Sequence, residues 1–349
     1  MRTAIRLLLL DIPVRSASAL AQLLPAGSGI AVSGEAGARG DVVRAVERLA
    51  PDVIAIGIDE PSRPPSETVQ RIMIERPTPI VLVTDGRAAR DVEATMLALR
   101  DGALTVMSLP PAVEGEAAAF ARRRFIASLR AMSEVKLVRR WRARPGAPVV
   151  AVPAPAAGPV TRRAIAIAAS TGGPAALQRI LSDLVPDRLP PILIVQHIAE
   201  GYIDGLVQWL DEESRLDVRL ARQGDMLQAD TVYVAPDGHH LGLSPSGRVM
   251  LTDDPPVDNF RPSADVLFDT AAQALGAGLT AVMLTGMGCD GVRGLRKVRA
   301  CGGRIIAQDQ ASAAVDGMPK AARDEGLANE ILPLLSIAAG LSALAAEPA

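Results

Sequence analysis

The sequence predicts an α/β protein made of two doubly wound, mostly parallel-sheet domains, and three observations predict it. Short apolar runs alternate with amphipathic stretches in both halves of the 349-residue chain, the signature of repeated βα units. Hydrophobic residues make up 49% of the chain while aromatics supply only 2%. The cores must therefore be packed from Ala, Val, Ile and Leu, which suits buried parallel strands under alanine-rich helices. Residues 145–160, rich in Pro, Ala and Gly, follow neither period and divide the pattern in two.

In the first half, strands are expected at 5–10, 30–33, 53–58, 80–84 and 105–107, with amphipathic helices such as 41–49 and 66–75 between them. Together they predict a small doubly wound domain at 1–112. Residues 113–144 then turn helical and basic, with Arg122, Arg123, Arg124, Arg130, Lys136, Arg139, Arg140 and Arg142. With the Pro/Ala-rich linker they make a connecting segment at 113–160. A basic helix beside a linker is expected to be a solvated face, with docking on an acidic partner as the alternative. A second alternating series runs through 164–169, 191–196, 231–235, 280–284 and 304–307, with helices at 175–184 and 264–275. It predicts a second domain at 161–345.

The bulk numbers exclude several classes. A net charge of −2 gives no basic footprint for nucleic acid. Two cysteines, Cys289 and Cys301, are too few for a disulfide framework and fit a reducing cytoplasm. Arg2 and Arg6 precede an apolar run at 7–10, but Asp11 and Pro13 cut it short of a signal peptide. No run reaches the roughly 18 apolar residues of a membrane span, so a cytoplasmic, not membrane-embedded protein is expected.

The chemistry lies where hydroxyl, imidazole and carboxylate fall relative to the strands. Ser170 follows the strand 164–169 at once, before Thr171-Gly172-Gly173-Pro174 and a helix. His197 ends the strand 191–196 in the same way, and Asp290 follows 280–284 after a glycine-rich loop. In a parallel sheet these positions gather along the carboxyl edge, where open α/β sheets bind ligands. There His197 would take the proton of Ser170, Asp290 would hold the imidazole in one tautomer, and the backbone around Met287 would supply oxyanion donors. Each residue also has a plainer reading: Ser170 as a helix cap, His197 as a structural hydrogen-bonder, Asp290 as a turn residue. The chain order Ser, His, Asp and the lack of a G-x-S-x-G elbow argue against the lipase-type fold.

With these residues in view, the chain resembles the chemotaxis protein-glutamate methylesterases, the CheB family, over about 163–335. The resemblance rests on Ala168-Ala169-Ser170-Thr171-Gly172-Gly173-Pro174, Ile194-Val195-Gln196-His197, Arg261-Pro262-Ser263 with Asp265, and Thr285-Gly286-Met287-Gly288-Cys289-Asp290-Gly291. Gln308-Asp309 with Gly317-Met318-Pro319-Lys320 forms a fifth motif, and Pro236-Asp237-Gly238-His239-His240-Leu241 is similar to a family stretch ending in His-Leu. The resemblance implies a serine hydrolase with Ser170, His197 and Asp290 as its triad. It would release methanol from glutamate methyl esters on the cytoplasmic helices of methyl-accepting chemotaxis receptors and deamidate receptor glutamines. It implies an oxyanion role for the Met287 backbone and places Thr171, Gly288, Arg261 and Ser263 beside the substrate. It also implies no metal or organic cofactor. Cys289 departs from the small residue usual there; it is expected to act as a small hydrophobe rather than a nucleophile.

The first half resembles a response-regulator receiver, as the family's architecture implies, with its phosphorylation apparatus missing. Gly57 stands where the phosphoryl-accepting aspartate belongs, the acidic pair after the first strand is reduced to Leu10-Asp11, and Leu109 replaces the lysine before Pro110. Thr84 keeps the switch-hydroxyl position, and Asp59 lies two positions past Gly57. Glycine cannot accept a phosphoryl group, so a pseudo-receiver with no phosphorylation site is expected, and a chemotaxis signalling kinase or adaptor is a further candidate partner. Two rival readings stay open: an adaptor that keeps the triad, and a hydrolase of the same mechanism acting on another ester.

Overall fold

The computed structural model describes residues 4–12, 20, 24, 27–36, 41–59, 64–85, 91–110, 115–135 and 163–346. The expected linker at 145–160 lies outside the described residues. Five parallel strands form the first sheet: β1 (Ile5–Leu10), β2 (Ile30–Ala36), β3 (Val53–Gly57), β4 (Ile80–Thr84) and β5 (Val106–Ser108). Their order, β2-β1-β3-β4-β5, is that of a flavodoxin-like doubly wound sheet. Helices α1 (Val42–Leu49), α2 (Pro65–Glu75) and α3 (Val92–Arg100) connect them. Asp41 and Asp91 start α1 and α3 by accepting the amides of Arg44 and Ala94, the side-chain caps that orphan N–H groups favour.

Helix α4 (Glu116–Ser133) follows the first sheet and packs on it. Its Phe125, Leu129 and Met132 pack into one cluster with Leu7, Leu9, Val53 and Val81. The helix therefore covers a face of the first sheet, and its register leaves Arg124 half-buried over Phe260 rather than in open solvent.

Seven parallel strands form the second sheet, in the order β14-β13-β12-β6-β7-β9-β8. They are β6 (Ala164–Ala169), β7 (Ile192–Gln196), β8 (Asp217–Leu220), β9 (Thr231–Val234), β12 (Leu279–Met283), β13 (Arg304–Gln308) and β14 (Glu330–Leu332). An antiparallel hairpin, β10 (His240–Leu243) with β11 (Val249–Thr252), lies outside it. The helices are α5 (Gly173–Asp183), α6 (Ile203–Glu213), α7 (Ala264–Leu275), α8 (Val292–Ala300), α9 (Met318–Asp324) and α10 (Leu334–Ala346).

The period of two along β6 explains the alanine-rich composition. Ile165, Ile167 and Ala169 face a core shared with Leu177 and Ile180 of α5 and Leu206 of α6. Ala164, Ala166 and Ala168 face the other layer, where Phe268, Ala271 and Ala272 of α7 pack. Glycine on α8 lets α7 and α8 come close: a Cβ at Gly294 would stand 2.8 Å from the Asp265 carbonyl. The two sheets are also joined. One apolar cluster runs from Leu8, Ile56 and Leu82 through Met96 and Leu99 of α3 to Ile203 and Leu206 of α6.

Candidate active site

Strand order reverses between β6 and β12, a topological switch point whose carboxyl side is the usual ligand crevice. Ser170 lies there, one residue past β6. Its amide donates to the Thr285 carbonyl at 3.0 Å, and its carbonyl accepts from Gly173 N and Gln196 Nε2, both at 2.8 Å. The turn is held from both neighbouring strands. Ser170 does not cap α5: the capping position is Gly172, at a φ of 78°. A Cβ on Gly286 would come within 2.8 Å of Ser170 Cβ, so only glycine lets the β12 loop run this close to the hydroxyl.

His197 follows β7, with its amide on the Ala169 carbonyl at 3.0 Å, which sets it beside Ser170 across the β6–β7 pair. Its Nε2 lies 2.9 Å from Asp290 Oδ2, a hydrogen-bond distance although the N–H does not point straight at the oxygen. Its Nδ1 is buried and finds no partner among the described residues. An orphaned buried nitrogen is rare, and a catalytic role is one of the few good reasons for it. If Nε2 carries the hydrogen shared with Asp290, Nδ1 holds the lone pair. That lone pair is free to receive a proton.

Asp290 is better anchored than the sequence implied. Besides His197 it accepts the Ser263 hydroxyl at 2.8 Å, the Ala264 amide at 2.7 Å and the Asp265 amide at 3.2 Å. These donors open α7, so the carboxylate sits against the helix's positive end. Burial alone would push its pKa up; the His197 contact, the Ala264 amide and the Ser263 hydroxyl outweigh burial and bring it below the ordinary carboxylate value. Asp265, buried alongside, goes the other way. Burial raises its pKa despite a 2.7 Å bond from the Gly294 amide.

Two groups outside the expected set complete the surroundings. Phe260 stacks on His197 with ring centroids 4.2 Å apart and planes 19° apart, and the guanidinium carbon of Arg124 lies 4.3 Å from the centre of the same ring. Burial lowers the pKa of Arg124, and the nearby Asp290 charge opposes that shift. Helix α4 also brings Ser128 Oγ within 3.5 Å of Met287 Sδ, and the Leu104 carbonyl accepts the Gly172 amide at 3.0 Å. The first half of the chain thus touches the nucleophile turn, the Met287 loop and the ring over the histidine.

The structure separates the other expected site residues. Met287 and Gly288 lie on the accessible side of their loop and Thr171 is buried in the turn. Thr171's carbonyl accepts the Thr285 hydroxyl at 2.8 Å. Ser263 has no exposed surface, so it braces Asp290 from below and does not meet substrate. Arg261 is exposed and donates its Nη1 to the Asp253 and Asp254 carbonyls at 3.2 and 3.3 Å. Cys289 is exposed and packs in no core, contrary to expectation. Phe260 was findable in principle, as one of only four phenylalanines and set directly before Arg261-Pro262. Arg124 had no local signal, because its place depends on how the two sheets dock.

The chain is similar to several known proteins. A model of the family described as CheB methylesterase matches residues 165–341. A protein-glutamate methylesterase/protein-glutamine glutaminase of Anaeromyxobacter dehalogenans is 44% identical over 332 residues, covering 94% of this chain and 95% of that protein. The enzyme of the same description from the group 3 operon of Rhizobium meliloti is 42% identical over 307 residues, covering 87% of this chain and 86% of its own. Among solved structures, the CheB methylesterase catalytic domain of Thermotoga maritima is 38% identical with a TM-score of 0.51, covering 53% of this chain and all of that domain.

Proposed function

This chain belongs to the CheB methylesterase family, and from that premise we propose a protein-glutamate methylesterase and protein-glutamine glutaminase worked by Ser170, His197 and Asp290. The observation that carries the residue assignment is the buried, unpartnered Nδ1 of His197, with Asp290 on the opposite nitrogen. An imidazole held in that tautomer is a base waiting for a proton, and Ser170 is the hydroxyl on the adjacent strand end.

His197 Nδ1 takes the Ser170 proton as Oγ attacks the ester carbonyl of a methylated glutamate. The carbonyl electrons move onto oxygen, where the Met287 amide donates to the oxyanion; one such donor contributes about 10²–10³-fold in rate. The Gly286 amide is already committed to the Val315 carbonyl, which leaves Met287 as the next donor along the loop. The intermediate collapses, the imidazolium returns the proton to the leaving oxygen, and methanol departs. Water, activated by the same nitrogen, then cleaves the acyl-serine to free serine and a glutamate carboxylate. A glutamine side chain follows the same course with ammonia as leaving group. Asp290 stabilises the imidazolium in both halves.

The substrates are methyl-accepting chemotaxis receptors, met on their cytoplasmic helices by Gly288 and the Met287 loop, with Thr171 buried beside the nucleophile. Among the described residues no helix is long and apolar enough to cross a membrane, which suits a protein that works on the cytoplasmic side. We divide the chain into a pseudo-receiver reaching to about residue 135, a linker, and the catalytic domain from about 161 to 345. The contacts of α4 and Leu104 with the site support a first domain that restricts receptor access, relieved by a signalling kinase or adaptor rather than by phosphoryl transfer to Gly57. The test is methanol release from receptors carrying radiolabelled methyl esters. Wild type should release it and Ser170→Ala should stay at background; equal release would overturn the assignment.

A further inference from the structure

Residues 253–263, between β11 and α7, form a strap whose two functional side chains bracket the His197–Asp290 pair. Phe260 stacks on the imidazole and Ser263 donates to the carboxylate at 2.8 Å. Within the strap, Val257 and Phe260 exchange both backbone hydrogen bonds, at 3.1 and 2.8 Å, around Asp258 and Asn259, which have φ of 47° and 66°. That tight turn aims Phe260 but does not anchor it to the domain.

The anchor is His240, the first residue of β10, 1% exposed. Its Nε2 lies 3.3 Å from the Pro255 carbonyl, and its Nδ1 accepts the Ser263 amide at 3.2 Å. Pro255 O can only accept and Ser263 N can only donate, so both contacts are satisfied together by one species, the neutral ring with hydrogen on Nε2. A single imidazole thus spans the start and the end of the strap. Neighbouring His239 does something different: it is half-exposed and pairs with Asp253 at 2.5 Å.

We infer that His240 is a positioning residue for the hydrolysis, clipping both ends of the 255–263 strap so that Phe260 and Ser263 hold His197 and Asp290 in register. The ordered contacts run from His240 to the Ser263 backbone, from the Ser263 hydroxyl to Asp290, and from Asp290 to His197. The inference rests on the proposed triad and adds a residue outside it that touches neither substrate nor reacting atoms.

Asparagine and glutamine separate the two bonds. His240→Asn keeps an acceptor near the Nδ1 position and so the Ser263 contact; His240→Gln keeps a donor near the Nε2 position and so the Pro255 contact. With a receptor fragment bearing radiolabelled methyl esters, His240→Gln should lose kcat by about 10²-fold with KM nearly unchanged, the scale expected when a catalytic group is slightly misplaced. His240→Asn should stay within about tenfold of wild type. A low-field imidazole N–H proton resonance, assigned to His197 by its loss in His197→Ala, should persist in His240→Asn and vanish or shift in His240→Gln. If both variants turn over like wild type, or lose only melting temperature or KM, His240 is merely structural and the inference fails. Ser170→Ala run alongside tells the two levels apart: an active Ser170→Ala overturns the triad itself, whereas an inactive one with unaffected His240 variants overturns only the clip.

Discussion

At the carboxyl edge of the second sheet, β6, β7 and β12 deliver Ser170, His197 and the Asp290 loop to one crevice. At the carboxyl edge of the first, β3 and β4 deliver Gly57 and Thr84 to the equivalent crevice, and it is filled by the chain itself. A Cβ at residue 57 would lie 2.4 Å from the Asp11 carbonyl oxygen and 3.1 Å from Ile12 Cα. Asp59 turns its carboxylate inward, where it accepts the Thr84 hydroxyl at 2.5 Å and the Asp85 amide at 2.7 Å. Both edges obey the same topological rule. The difference teaches that topology supplies a place, and that side chains with unmet hydrogen-bonding capacity make the place chemical. The second edge keeps a buried lone pair unsatisfied, while the first has satisfied its carboxylate internally.

The comparison can be broken most severely at the second edge. Ser170→Ala and His197→Ala should each reduce methanol release by at least about 10³-fold. Asp290→Asn should be milder than either by about 10- to 100-fold, because nucleophile and base remain while the tautomer is lost. Steady-state rates on methylated receptor would reveal the ranking.

Acid sharpens it next. Asp290 has a depressed folded pKa, so its stabilisation is complete above the ordinary carboxylate range and is lost as pH falls through the depressed value. His197→Ala removes the leading contacts that lower it, and the folded pKa should rise. The acid-unfolding midpoint of the catalytic half, followed by circular dichroism, should then move to higher pH.

At the first edge, Gly57→Asp should fail to create a phosphorylation site. The clash is with backbone, which cannot swing aside, so the variant should lose about 1–3 kcal/mol of stability, the usual cost of overpacking. Chemical denaturation and incubation with acetyl phosphate and Mg²⁺ check both halves of that expectation. The smallest effect belongs to the contact between the halves. Arg124→Ala removes a contact between α4 and Phe260 worth about 0.5–1 kcal/mol, loosening the first half's hold over the site, so receptor hydrolysis should rise by about two- to fivefold. A fall in initial rate would mean instead that Arg124 assists the reaction.

Much of this was legible from sequence because it depended on local pattern. The strands bearing Ser170 and His197 are unbroken apolar runs ending at a polar residue, and β6 falls at Ala164–Ala169 as expected. Elements with weaker patterns escaped. β8 begins with exposed Asp217, and β14 is a three-residue edge strand, too short for a period to register. The hairpin of β10 and β11 was also unforeseen, and with it the place of His240. Asp290 was readable as a candidate, but not its seat on the first amides of α7, since 25 or more residues separate it from Ser263, Ala264 and Asp265. Phe260 and Arg124 meet His197 only through tertiary docking, which no spacing rule encodes. The sequence marks α4 as a helix of the connecting segment, because its basic residues obscure the stripe of Phe125, Leu129 and Met132 that binds the first sheet.

The most direct measurement asks whether the hydroxyl at 170 is activated by the imidazole at 197. A serine-directed fluorophosphonate applied to the full-length protein, followed by peptide mass mapping, reports the bond itself. The adduct should form on Ser170 and fall to background in His197→Ala. Failure to label Ser170, labelling at Cys289 instead, or unchanged labelling without His197 would contradict the account.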